Sequence, residues 1–514
     1  MRNSLFFVAA LVAAVSIPAH GATAPTNVTV PPGYSMTAVA TGLNFPTAMT
    51  FFGDTIWVTE AGIAGLPTVK TIDHKGNVAT ILTSAMLPDG TLVSPLTGIK
   101  FARGWIWLVH RQMNTYGVPV GAISRFRPRN PVGTFQTVVS GIPSFGDHPN
   151  SQIVFGPEGR AYFNGAAPTN ASVVGPDNGW ATSHPTLHDF PAVDVRLSGI
   201  GYQTLIPFPP LDPSAALITE PFMPFGSGPV PAETIVLAAT PANPQQGVIA
   251  GSGSVYSFDP DAPNPVSTLR LEGWGFRNPY GIGFDPFHPD MLFVSNNGAD
   301  ARQRLVNGQL VFAGSRPIAN DWDDIFIIHP GQGAQFFGWP DYFHDPVSRQ
   351  PLPVTDPMFC PAGANPCPQF AFSDSFRATL TVQPAFAELE DHVSANMFDF
   401  SITDDFGYVG DIFIAETGAL PPGTGATTLT GYKVARIDRT TGAVSDFIAH
   451  TMNTQAVIFQ TDGFNKPIDV RFRGPRMYVV DMGVFPPATL TPNSGKIWMV
   501  SRQDGESSGR DKHD

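Results

Sequence analysis

Hydrophobic and polar positions alternate along this chain in short bursts, and one compound phrase recurs. A polar or proline turn leads into a hydrophobic–x–Phe strand. A glycine-containing turn follows, then a second strand that ends near Glu, Asn or Asp and Gly. The copies run Asn44 to Gly62, Pro95 to Gln112, His148 to Ala166, Arg277 to Gly298, Asn396 to Gly418 and Asn465 to Gly483. Period-two alternation broken by a tight turn predicts a β-hairpin in each. A third strand follows most copies: "VKTIDHKG" from Val69, "AISRFRP" from Ala122, "SVYSFDP" from Ser254, "YKVARIDRTTG" from Tyr432 and "KIWMVSR" from Lys496.

Repeated antiparallel units of this kind predict an all-β fold, a six-bladed β-propeller. A pair of β-sandwiches would also alternate, but would not repeat one phrase six times. The starts of the copies are irregularly spaced, about 50, 50, 130, 120 and 70 residues apart. Long insertions are therefore expected near 167–250 and 300–395. Both are rich in Pro and Gly and are expected to run as loops over one face. One propeller needs no second domain, so 25–514 reads as a single domain after an N-terminal signal over 1–24.

In a propeller the first strand of each blade lines the axis. The turns entering those strands cluster around one mouth of the channel. Residues far apart in sequence are thereby predicted to meet: Asn44, His148, Arg277 with Asn278, Asn396 and Lys466.

Composition narrows the classes. Gly and Pro make up about a fifth of the 514 residues, which leaves little room for long helices. A hydrophobic content of 42 % with 39 Phe is ample for a core. The formal net charge of -13 opposes nucleic-acid binding, which needs a basic face. It equally opposes docking on anionic lipid.

The first residues carry an export pattern. Arg2 precedes an apolar run of eleven from Leu5 to Val15, and small-residue cleavage sites follow at Ala19–His20–Gly21 and Ala22–Thr23–Ala24. The run is too short to span a bilayer, which takes about 20 residues. A secreted or periplasmic protein without membrane insertion is expected. The two cysteines, Cys360 and Cys367, are spaced to allow a small disulfide loop. Cys-rich zinc sites, Walker loops, H-E-x-x-H helices, G-x-S-x-G elbows and Rossmann fingerprints are all absent from the sequence.

Five stretches carry a family resemblance: "EGWGFRNPYGIGFDP" from Glu272, "SNNGAD" from Ser295, "NDWDDIFIIHPGQGAQFFGWPDYF" from Asn320, "GYKVARID" from Gly431 and the pair Asp147–His148. Together they resemble the soluble quinoprotein glucose/sorbosone dehydrogenases over roughly 33–502. That resemblance implies a six-bladed propeller holding pyrroloquinoline quinone (PQQ) and Ca2+. It implies oxidation of a sugar or related alcohol or aldehyde, with an electron acceptor as partner. His148 matches the general base, and an imidazole suits that task near neutral pH. Asp147 matches a substrate-contacting carboxylate. Arg277 and Asn278 match the cofactor-contacting pair, Arg277 also stabilising charge on the reduced quinone, and Lys466 matches a cofactor-binding cation. Gly298 and Ala299 match carbonyl ligands of Ca2+, with Asp323 or Asp324 close by.

The sequence also departs from that pattern. A second cation is expected two residues after Lys466, and Ile468 stands there. "ETGAL" from Glu416 lacks an expected basic residue, and "NGAAPTN" from Asn164 lacks an expected carboxylate. The pocket thus carries fewer charges for a tricarboxylate. His392 reads either as a site residue or as a turn histidine. Two further readings stand beside the dehydrogenase. One is the same scaffold without quinone, a Ca2+-dependent lactonase-like hydrolase with Asn278 and Asp469 as members. The other is a non-enzymatic binding module.

Overall fold

The computed structural model describes residues 24–175, 177–203, 218–300, 303–306, 309–312, 321–354, 370–419, 429–452, 459–485 and 490–503. The expected signal falls, but for residue 24, outside the described residues, as do Cys360 and Cys367. The described chain is almost wholly β, and six sheets of four or five strands form a six-bladed propeller.

Each blade begins with one of the predicted hairpins. Their innermost strands are Pro46–Phe52, Val93–Ala102, Ile153–Phe155, Asn278–Phe284, Ala395–Phe400 and Pro467–Arg473. Their partners are Thr55–Glu60, Trp105–Met113, Ala161–Gly165, Leu292–Asn297, Ile412–Glu416 and Arg476–Asp481. The second blade turns through Arg103 and Gly104, both at positive φ (55° and 76°). That is the mirror-image turn whose twist matches two antiparallel strands.

The innermost strands touch in ring order, first to sixth and back to the first. The ring is closed by the N-terminal strand Tyr34–Leu43, which pairs with Gly495–Arg502 as the outer strand of the sixth blade. Side-chain hydroxyls stitch the hub. Thr47 donates to the Leu96 carbonyl at 2.8 Å and Thr97 to that of Asn150 at 2.7 Å. Ser151 donates to Tyr280, Ser295 to Asn396, and Thr417 to Pro467. Between the sixth and first blades the Met49 amide donates to Asp469 Oδ2 at 2.9 Å. Every step satisfies a buried backbone group that would otherwise cost stability.

The core lies between the facing sides of neighbouring blades. Between the fifth and sixth, Phe413 packs edge-on against Phe447 and Phe472 beside Phe406. Such pairs exploit the ring quadrupole as well as buried area, which accounts for part of the heavy use of Phe.

The insertion in the third blade, between Ala161–Gly165 and Ser254–Phe258, is more than a surface loop. Val195–Arg196 pairs with Ile235–Val236, and Ala167, Val195, Leu197 and Phe222 share a core with Trp274, Phe336 and Trp339. The second insertion contributes Asp324–Ile328 and Ala387–Glu388 as the outer strands of the fourth blade.

Candidate functional site

Where the innermost strands start, the ladder slips. Bulges separate Pro46 from Ala48, Leu96 from Gly98, Pro279 from Gly281, Ala395 from Phe398 and Pro467 from Asp469. A bulge leaves its extra residue unpaired and re-aims the side chain. Thr47, Thr97, Tyr280, Asn396 and Ile468 occupy these slips, and all five line one hub cavity of about 600 Å3. None of the five carries a charge.

The cavity also gathers Asp147, His148, Arg277, Asn278, Gly298, Asp300, Asp323 and His392. Hence four of the residues expected to meet, His148, Arg277, Asn278 and Asn396, do line one space. Two do not. Asn44 spends its side-chain amide on the Ala64 carbonyl at 3.0 Å. Lys466 precedes its strand, and the bulge presents Ile468 instead. Its ammonium lies 4.8 Å from the Tyr432 ring centre and donates to the Thr417 carbonyl at 3.3 Å. Burial pulls it down to about 7, against the pull of Asp481. Asp469, a member of the hydrolase reading, is spent between blades, on the Met49 amide and on Arg471.

His148 is held by its own blade. Its Nδ1 stands 2.6 Å from the Ala167 carbonyl. A carbonyl only accepts, so Nδ1 carries the proton and Nε2 is the basic nitrogen of the neutral ring. Beside it, Asp147 accepts from Trp180 Nε1 at 3.1 Å and from Asn178 Nδ2 at 3.3 Å. Both donors belong to the third-blade insertion, which therefore walls the mouth.

On the fourth-blade side, Arg277 is committed within the protein. Nη1 donates to the Gly298 carbonyl at 2.8 Å and Nη2 to Asp300 Oδ2 at 2.7 Å, while Nε is buried without a partner. Asn278 donates to Asn297 Oδ1 at 2.6 Å and leaves its own Oδ1 buried without a partner. Asp300 also stands 3.1 Å from His392 Nδ1, and Asp391 stands 3.1 Å from Nε2. A carboxylate near each nitrogen favours the charged ring. Burial by itself would lower its pKa, but Asp300, Asp391 and Asp323 outweigh it and hold it above the ordinary value.

Asp323 accepts the amides of Gly298 (3.1 Å) and Ala395 (2.7 Å) and is pushed up to about 6, chiefly by burial. Ala299 does not line the cavity; its amide and carbonyl both pair with Asp321. Asp324 faces Asn296 and Glu388 rather than the cavity.

Two wall residues were not singled out, or not assigned, from sequence. Asp300 stands directly after the Gly298–Ala299 pair in "NNGAD", so its place was visible there although its partners were not. His392, open between two readings, is a wall residue. Its φ of 56° and the same turn at Ser394 (53°) bring it back toward the hub.

No family model matches the chain, and no curated protein matches it in sequence. Solved structures do resemble it. A Trichoderma reesei carbohydrate-active enzyme of family AA12 superposes with a TM-score of 0.52 at 15 % identity, over 94 % of this chain and 99 % of that one. A calcium structure of an AA12 enzyme from the same organism gives 0.52 at 14 %, over 94 % and 99 %. A soluble aldose sugar dehydrogenase from Escherichia coli, in its apo form, gives 0.50 at 13 %, over 91 % and 99 %. At these identities the likeness is one of fold.

Proposed function

We propose that the chain is a sugar oxidoreductase whose active site is the hub cavity. The fold is shared with a sugar dehydrogenase and with carbohydrate-active enzymes. The observation that carries the reading is the pinned imidazole. His148 meets the cavity with Nδ1 anchored on the Ala167 carbonyl at 2.6 Å, so Nε2 carries the lone pair of the neutral ring. Anchoring fixes both tautomer and ring orientation, which a general base requires.

The residues do not fit the PQQ expected from the resemblance. A tricarboxylate needs positive charge in contact. Among the described residues, the cations lining the cavity are Arg277 and His392, and both already pair with carboxylates. The five bulge positions add none, and Lys466 is withdrawn. Nor do they fit Ca2+ as expected. The Gly298 carbonyl accepts a guanidinium, the Ala299 carbonyl accepts Asp321 N–H, and both Asp323 oxygens accept amides. A second cation at Gly298 would face Arg277 directly. Among the described residues no group of three or more His, Cys, Asp or Glu is placed to hold a metal. No step is routed through either group.

The chemistry left to the chain is simple. A sugar hydroxyl donates to His148 Nε2, and a neighbouring hydroxyl donates to Asn278 Oδ1. His148 takes the hydroxyl proton as the same carbon gives hydride to a diffusible quinone-type acceptor, a second substrate. The products are the sugar carbonyl and, once His148 returns the proton, the quinol. Asp147 holds a neighbouring hydroxyl at the mouth.

The test is acceptor reduction with a sugar panel, run with and without added PQQ and Ca2+. Sugar-dependent reduction without added PQQ, lost in His148→Ala, is expected. Turnover that strictly requires PQQ would restore the tricarboxylate reading. No turnover in any condition would end the oxidoreductase reading.

A further inference from the structure

Equivalent positions of the hairpins carry different chemistry. A residue just before the closing glycine lines the cavity in four blades: Asn297 in the fourth, Thr417 in the fifth, Met482 in the sixth and Ala61 in the first. The bulge positions split in the same way, with Asn396 in the fifth blade and Ile468 in the sixth. Thr47, the bulge residue of the first blade, has its hydroxyl on the Leu96 carbonyl at 2.8 Å. Just past the two glycines, Ile63 and Phe485 extend the apolar surface. Ile468 and Met482 are 5 % and 8 % exposed, while Ile63 stands at the rim, 40 % exposed. Phe485 is braced by the buried Phe45, edge-on with ring centres 5.7 Å apart. Among the described residues, none that lines the cavity from the sixth or first blade carries a charge.

The charges near this wall are turned away from it. Asp481 accepts the amides of Asn465, Lys466 and Gly483 and the indole N–H of Trp498. Glu60 is held by Lys70 at 2.7 Å, and Lys466 rests on Tyr432. A ring of six blades sets the sixth opposite the third and the first opposite the fourth. The apolar wall therefore faces His148, at the entry of the third blade, and Arg277, Asn278 and Asp323 of the fourth. The cavity is amphipathic across its diameter.

Sugar oxidation needs two molecules in this space, because hydride passes only between reacting atoms about 3–3.5 Å apart. With the sugar hydroxyls on the third and fourth blades, the acceptor rests on the opposite wall. That wall stabilises a ligand by covering apolar surface. A carboxylate there would lose its hydration and gain no counter-charge. We propose that the acceptor is a neutral, alkylated quinone seated on Ile63, Ile468, Met482 and Phe485. The sugar C–H bond breaks and its hydride passes to the quinone. The hydroxyl proton goes to His148 and from there to the reduced ring, so that one sugar carbonyl and one quinol leave. This inference rests on the hub being the site of sugar oxidation.

The experiment uses the full purified chain without added PQQ. Calorimetry compares duroquinone, a neutral tetramethylbenzoquinone, with the same ring bearing a carboxymethyl group in place of one methyl. Duroquinone should bind, and the carboxylate analogue should bind at least about tenfold more weakly. Phe485→Ala should weaken duroquinone about tenfold and leave sugar affinity unchanged. Ile63→Ser, at the exposed rim, should weaken it about threefold and carries the same test should Phe485→Ala not fold. Equal affinity for the charged analogue overturns the inference, as do folded variants that hold duroquinone as tightly as the wild type. Sugar-dependent reduction of some other acceptor would then leave the oxidoreductase reading standing. No sugar oxidation with any acceptor overturns both.

Discussion

Asp300 Oδ2 lies 2.7 Å from Arg277 Nη2, and this contact sets the charge of the hub. The guanidinium is 4 % exposed and the carboxylate 15 %. The same carboxylate reaches His392, so one acid holds two cations. Removing it leaves Arg277 without its carboxylate and His392 with Asp391 as its close acid. Asp300→Asn is expected to cost about 3–5 kcal/mol in urea unfolding. In the fraction that stays folded, glucuronate affinity should rise, because Arg277 is released toward the cavity. Unchanged stability would show that the pair is not a buried contact.

His148→Ala should lower kcat/KM for sugar oxidation by roughly 10²–10⁴, the usual worth of a positioned proton acceptor. The fold should survive the change, since the ring stands at the cavity wall. A loss confined to KM would assign His148 to binding instead.

Ile468 occupies the sixth-blade bulge and lines the cavity, while Lys466 does not. Ile468→Arg should therefore add an uncommitted cation where Lys466 adds none. The expected gain is measurable binding of glucuronate or PQQ, read by calorimetry or quenching of protein fluorescence. The buried guanidinium should cost stability, on the order of a few kcal/mol. A variant that folds and still ignores anions would contradict the electrostatic account of the hub.

Stability should rise on mild acidification. Burial pushes Asp189 and Asp321 up to about 7 and Asp323 and Asp469 up to about 6, with Asp324, Glu388 and Glu416 also raised. A carboxyl whose folded pKa is raised binds more protons folded than unfolded, so stability falls as pH climbs from about 4 to 7. Burial lowers His110, His188 and His344 to about 4, and these work in the opposite sense between 6.5 and 4. The carboxyls are more numerous, and the net charge of -13 adds self-repulsion at neutral pH. A melting temperature higher at pH 5.5 than at pH 7.5 is expected; the reverse order would give the histidines the larger share.

Gly298→Ala should disturb the wall. An added Cβ would stand 2.2 Å from the Asp321 carbonyl oxygen and 2.3 Å from that of Trp322, both backbone atoms that cannot rotate aside. A loss of about 1–3 kcal/mol is expected from overpacking. Weaker sugar binding should follow, because the Gly298 carbonyl anchors Arg277. Wild-type stability and affinity would mean that the two segments separate freely.

The amino-acid sequence alone determined the repeating unit of this protein. A hairpin is a local object: alternation sets its faces, and a pair such as Arg103–Gly104 sets its turn. Six hairpins of one kind left a ring as their economical burial, and the entry positions of that ring pointed to His148, Arg277, Asn278 and Asn396. Tertiary structure decided which side chains the ring presents and with what charge. A one-residue bulge exchanged Lys466 for Ile468 at the cavity wall. Asp300, in the connection after the fourth-blade hairpin, found Arg277 and, across to the entry of the fifth blade, His392. Asn178 and Trp180 came from a packed insertion to orient Asp147. None of these contacts is encoded in the local pattern. They arise only when segments separated along the chain close on one another, where low dielectric makes each pairing count and leaves an unpaired charge nowhere to go.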